Sequence, residues 1–140
     1  MGVDFGLKRI GVSVCDGEWI LATPLPVIYT KSMRVSIDAV AALIKAQNVG
    51  GIVIGLPLNL DGSESIQSGL VRAFSKNLQR VTGLPTVLYD ERLTTVEANE
   101  LLIEAGVVKA ADRAKLIDSM SAKVILQSYI DNKKSENNHG

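Results

Sequence analysis

The hydrophobic period of this chain changes near Thr30, and few folds accommodate that change. Upstream, apolar residues recur as in strands; downstream, helical and strand patterns take turns. An apolar start, Met1 to Phe5, runs into a Gly6-Leu7-Lys8 turn. Ile10, Val12 and Val14 then share one face of a strand, and Gly11, Ser13 and Cys15 share the other. The small face suits a helix packed closely against it. Asp16-Gly17 is a hairpin turn signal, and Trp19 to Thr23 reads as a third strand, ended by Pro24 and Pro26.

Beyond this meander, Ile37, Val40, Ala41 and Ile44 fall at helical spacing. The run Gly51 to Leu56 is unbroken and apolar, as in a buried parallel strand. A loop, Pro57 to Ser63, leads to a helix defined by Ile66, Leu70, Ala73, Phe74 and Leu78 and ended by Gly83 and Pro85. Thr86 to Tyr89 is a fifth strand. Ala98, Leu101, Leu102 and Ala105 mark a third helix closed by Gly106, and Asp112 caps a last helix reaching about Ile130. The order is βββαβαβαα. Right-handed crossovers make strands 1, 4 and 5 parallel, which predicts an α/β fold: a five-stranded mixed sheet ordered 3-2-1-4-5, flanked by helices. Residues 1–132 are expected to form one domain and 133–140 a disordered tail.

In an open sheet of this kind, ligands bind beyond the carboxyl ends of the parallel strands. Three acids map there. Asp4 lies on the central strand, where a carboxylate is costly unless paired or metal-bound. Glu91 follows the fifth strand. Asp118 heads an otherwise apolar helical stripe continued by Ser121, Ala122, Ile125 and Tyr129. Clustered carboxylates suit hard divalent cations, Mg²⁺ or Mn²⁺, and two such ions can drive water onto a phosphodiester. With few other ligands, such a site can stand empty until substrate arrives. Lys8, Arg9 and Arg92 are candidate phosphate contacts. Asn59 and Asp61, in the Asn59-Leu60-Asp61-Gly62-Ser63 loop, are candidate substrate contacts, although that composition also makes an ordinary turn. Thr94 or Thr95 reads as a helix N-cap, with Thr94 and Glu97 at capping-box spacing.

Charge pulls the other way. Fifteen basic residues balance fifteen acidic ones, whereas nucleic-acid binders are usually basic. With the three acids neutralised by metal, the remainder is net positive, so neutrality weakens a nuclease reading without removing it. No apolar run reaches the roughly 18–20 residues that cross a membrane, no secretory signal is evident, and a single cysteine fits a reducing cytoplasm.

Four stretches taken together resemble the YqgF (RuvX-like) family of the ribonuclease H-like superfamily. They are Gly2 to Val12 (GVDFGLKRIGV), Gly55 to Gly62 (GLPLNLDG), Asp90 to Thr95 (DERLTT) and Asp118 to Ala122 (DSMSA). The resemblance implies an RNase H-like nuclease with Asp4, Glu91 and Asp118 as catalytic, metal-binding acids. It also implies action on nucleic acid: processing of the 5′ end of pre-16S rRNA in ribosome biogenesis, with precursor rRNA or a ribosomal particle as partner. A Holliday junction resolvase acting on branched DNA is the alternative, and would call for a homodimer rather than a monomer. Family members carry more apolar residues ahead of the first Asp, so strand 1 is either short here or begins upstream. Two other readings compete. A non-catalytic nucleic-acid-binding module would tolerate loss of the acids. An ATP-binding fold of the actin and sugar-kinase kind also opens with Asp-x-Gly, but needs a second domain to close on nucleotide.

Overall fold

A computed structural model of the chain describes residues 1–90, 103–106, 109 and 121–133. Five strands, β1 (Gly2–Phe5), β2 (Arg9–Cys15), β3 (Ala22–Tyr29), β4 (Ile52–Leu56) and β5 (Thr86–Asp90), form one sheet ordered β3-β2-β1-β4-β5. β1, β4 and β5 are parallel, and β2 and β3 are antiparallel additions, as the sequence pattern predicts. Helices α1 (Met33–Ala46) and α2 (Ile66–Thr82) make the crossovers, and residues 121–133 are helical.

The sheet is covered on two faces, and the alternation of its strands sorts residues between them. Val3, Phe5, Ile10, Val12, Ile52, Ile54 and Leu56 pack with Ile37, Val40 and Ile44 of α1 and Val71, Phe74 and Leu78 of α2. Phe5 stacks on Phe74 with ring centroids 4.5 Å apart. The opposite face carries Gly2, Ser13 and Val53, and there Ile125, Leu126 and Ile130 of the C-terminal helical segment pack on Val53 and Ala22. The small face of β2 does take a close helix: Ser13 Oγ donates to the Ala122 carbonyl at 2.7 Å. At Gly2 a methyl group would lie 2.6 Å from Ser13 Oγ, 2.7 Å from the Ala122 carbonyl oxygen and 2.8 Å from Leu126 Cβ.

The structure corrects two sequence expectations. The third strand does not span Trp19 to Thr23. It begins at Ala22 and runs through both prolines, with Pro24 opposite Ser13. β3 is an edge strand, where a residue without an N–H need not break a ladder. Residues 16–21 instead form the hairpin connection, with Asp16 Oδ1 accepting from the Ile20 N–H at 2.9 Å. In α2, Ile66 is 90% exposed and Ala73 is also on the surface, while Ser68, Val71, Phe74, Ser75 and Leu78 are buried. Two serines share the inner face, so an apolar count alone rotates the helix wrongly.

Gly106 donates to the Ile103 carbonyl at 3.0 Å, as a cap does. The last helix extends to residue 133 rather than ending near Ile130. The capping roles expected of Thr94, Thr95, Glu97 and Asp112 lie outside the described residues, as do 134–140. Among the described residues no helix is long and apolar enough to cross a membrane.

The close seat at Gly2 makes a direct prediction. Gly2→Ala should destabilise the protein by about 1–3 kcal/mol, the usual cost of overpacking. Urea unfolding reads this as a lowered midpoint at unchanged slope. An unchanged midpoint would show that the helix does not press on β1.

Candidate active site

β1 accompanies β4 only through Gly2↔Val53 and Val3↔Ile54, whereas β4 stays paired with β5 as far as Leu56↔Asp90. Asp4 and Phe5 finish β1 at the end of the sheet where the parallel strands β4 and β5 also finish. This is the carboxyl edge, where open sheets bind ligands. A cleft of about 340 Å³ lies there, lined by Asp4, Leu7, Lys8, Arg9, Gly11 and Gln67 together with Phe5 and Gly6.

Asp4 is half-buried and sits in line with Gly2, on the sheet face that the C-terminal helical segment covers further down. Its neighbours across the sheet are small. Gly11 is its partner on β2, and on β4 Gly55 follows Ile54, the partner of Val3. Neither contributes a side chain, so space remains beside the carboxylate. The Gly6–Lys8 turn then carries Lys8 and Arg9, both exposed, to the same cleft. At Gly6 a Cβ would stand 2.6 Å from the Arg9 carbonyl oxygen, so the tightness of this turn demands glycine.

The loop after β4 spends its polar groups on itself. Asn59 Nδ2 donates to Ser63 Oγ at 3.0 Å and to the Glu64 carbonyl at 3.1 Å. Asp61 Oδ1 accepts from the Ser63 N–H at 2.9 Å and from Ser63 Oγ at 2.6 Å. Asn59 and Asp61 thus brace the loop and are not among the residues lining the cleft. The loop delivers the chain to α2, whose N-cap is Ser65: its Oγ accepts from the Ser68 N–H at 2.9 Å and donates to the Pro57 carbonyl at 2.7 Å. Hydrogen bonds from Arg72 and Ser68 hold the Glu64 carboxyl below the usual carboxylate range.

Of the three candidate acids, Asp4 is described, and Glu91 and Asp118 lie outside the described residues, as does Arg92. Their chain neighbours are described. Asp90 closes β5 opposite Leu56, one residue before Glu91. Ser121 and Ala122, three and four residues after Asp118, are buried, and Ala122 meets β1 and β2 at Gly2 and Ser13. Among the described residues no group of three or more His, Cys, Asp or Glu side chains gathers. Gln67 is the cleft residue that sequence reasoning missed. A glutamine just after a helix cap carries no local signal, since that position normally faces solvent.

A mixed sheet in this order, crossed by helices on both faces, defines the ribonuclease H-like fold. RuvC of T. thermophilus, solved in complex with a Holliday junction substrate, has the same fold: TM-score 0.62 at 14% identity, covering 96% of this chain and 94% of that one. The fowlpox virus Holliday junction resolvase is similar at TM-score 0.53 and 11% identity, covering 94% and 97%. The chain belongs to the RuvX family, described as Holliday junction resolvase, whose model matches residues 1–132. A relative from Syntrophus aciditrophicus is 42% identical over 94% of this chain and 87% of its own length. One from Sphingopyxis alaskensis is 45% identical over 93% and 84%. Both bear the name "Putative pre-16S rRNA nuclease".

Ser65 ties the loop and the helix start together. Ser65→Ala should cost about 1 kcal/mol, typical of a lost N-cap, seen as a lowered urea midpoint. Amide exchange should accelerate in 57–64 ahead of the rest of the chain. Exchange that rises uniformly would show that the loop is held by other means.

Proposed function

We propose that this chain is a divalent-metal-dependent endonuclease that hydrolyses phosphodiester bonds of nucleic acid, with the 5′ end of pre-16S rRNA as its substrate. The observation that carries this is an acid on the central strand, at the carboxyl edge, sharing one cleft with two cationic side chains. Family membership and relatives named for rRNA processing support it.

Asp4, Glu91 and Asp118 are the acids that would hold Mg²⁺ or Mn²⁺. The donor set fits: carboxylate oxygens are the ligands such hard cations take. The chain path fits as well. Neighbouring strands lie about 4.8 Å apart, so β5, two strands from β1, ends at Asp90 roughly 10 Å from the Asp4 strand, one residue before Glu91 in the sequence. The contact of Ala122 with β1 and β2 brings the chain back to the sheet face of Asp4 within four residues of Asp118. Bound divalent cations supply an activated water nucleophile and stabilisation of the leaving oxygen. The protein's own side chains do the rest. Lys8, Arg9 and Arg92 hold phosphates on either side of the scissile bond, fixing its register. Asn59 and Asp61 hold the loop after β4 in one shape and so fix the start of α2, which carries Gln67 to the cleft.

A second reading, resolution of four-way DNA junctions, has the family's description in its favour. The two readings part on substrate. Precursor rRNA carrying its 5′ extension and a synthetic four-way junction should be offered to the same enzyme with Mg²⁺, with sedimentation to establish whether it is a dimer. Cleavage of the RNA alone supports the first reading, and symmetric cleavage of the junction supports the second.

For the site itself, Asp4→Asn, Glu91→Gln and Asp118→Asn should each lower the cleavage rate. Outer-shell changes at metal sites already cost about 10–100-fold, so losing a ligand should cost at least about 100-fold. Folding should be unaffected, as judged by circular dichroism. Wild-type rates in Asp4→Asn would rule out its metal role.

A further inference from the structure

Gln67 stands apart from the other groups in the cleft. It is the second residue of α2, half-buried, and its side chain crosses to β1. There Nε2 donates to the carbonyl of Phe5 at 3.4 Å, beside Asp4 in the chain. A carbonyl only accepts, so this contact fixes which end of the amide is nitrogen. One N–H is thereby directed to the backbone. The second N–H and the Oε1 acceptor have no other partner among the described residues, in a side chain that lines the cleft.

Among the described residues, the other polar side chains lining this cleft are all charged: Asp4 suits cations, and Lys8 and Arg9 suit phosphate oxygens, which only accept. Among the described lining residues, Gln67 alone offers a neutral donor and a neutral acceptor together. Phosphate makes no use of the acceptor. A hydroxyl uses both, and a ribose 2′-hydroxyl is the group of a nucleic acid that is at once donor, acceptor and adjacent to the scissile phosphate.

We propose that Gln67 is a specificity-determining residue that holds a ribose 2′-hydroxyl next to the Asp4 site and so favours RNA over DNA. This rests on the nuclease reading and deepens it. The anchor on Phe5 makes the contact selective, since the amide is oriented before substrate arrives and the hydroxyl meets both a donor and an acceptor at once. A 2′-deoxy nucleotide leaves both groups desolvated and unmatched.

The test uses one RNA strand and its counterpart with a single 2′-deoxy substitution at the cleaved nucleotide, with the full chain and Mg²⁺. The wild type should prefer the ribose strand by about tenfold, the scale of one neutral hydrogen bond. In Gln67→Leu that preference should fall to about twofold or less, with thermal stability measured alongside. A merely structural tie between α2 and β1 would slow both strands alike and leave the ratio intact, which would overturn the proposal. So would a wild type that ignores the substitution. If the wild type cuts neither strand, the nuclease reading fails on its own. Fluorescence anisotropy of the same two strands on wild type and Gln67→Leu then decides: tighter ribose binding lost in the variant supports the assignment, and equal binding or none overturns it.

Discussion

The seat of the C-terminal helical segment on Gly2 and Ser13 is the contact on which the arrangement of this molecule depends. Backbone and small side chains meet there at distances that exclude even a methyl group. Asp4 lies two residues along the same strand and on the same face, so the tightness at Gly2 sets how near the helix comes to the acid. The other face of the sheet has no such demand. It is filled by large apolar residues from β1, β2, β4, α1 and α2. One face is therefore a conventional core. The other is graded along β1, from a helix packed on Gly2 to the half-buried Asp4 that lines the cleft.

That gradation explains how an acid is tolerated on the central strand. A carboxylate wholly enclosed by apolar groups carries a heavy desolvation cost. Here the partner of Asp4 on β2 is Gly11, which sets no side chain against the carboxylate. The carboxylate is half-buried and lines the cleft at the carboxyl edge, where substrate would enter.

Much of this arrangement is legible in the sequence. The alternation of Ile10, Val12 and Val14 with Gly11, Ser13 and Cys15 identifies both the core face of β2 and the face that a helix can approach. Switching from meander to crossover units leads to the strand order. Local pattern fails where tertiary context decides. Pro24 and Pro26 read as strand breakers, yet an edge strand carries them. Ile66 reads as a core anchor of α2, yet the helix turns Ser68 and Ser75 inward so that Phe74 can reach Phe5. Gln67 has no pattern at all: its place in the cleft comes from a contact 62 residues away in the chain. Asp4 shows itself because an acid in an apolar strand breaks a strong rule, whereas a glutamine on a helix breaks none.

The charge balance then acquires a meaning. A protein with fifteen basic and fifteen acidic residues has little general attraction for a polyanion, because such attraction grows with the number of phosphates it neutralises. Among the described residues, the cations that line the cleft with Asp4 are Lys8 and Arg9, placed there by a tight turn. A neutral chain therefore draws less on bulk charge attraction, and discrimination rests more on short-range contacts inside the cleft. For an enzyme working among abundant RNA and DNA this is an advantage, since weak bulk binding leaves it free to dissociate from sequences it does not cut. Among the described residues, the cleft gathers an acid from the central strand, two turn-borne cations and a neutral amide held on β1, a set whose selectivity would come from geometry rather than net charge.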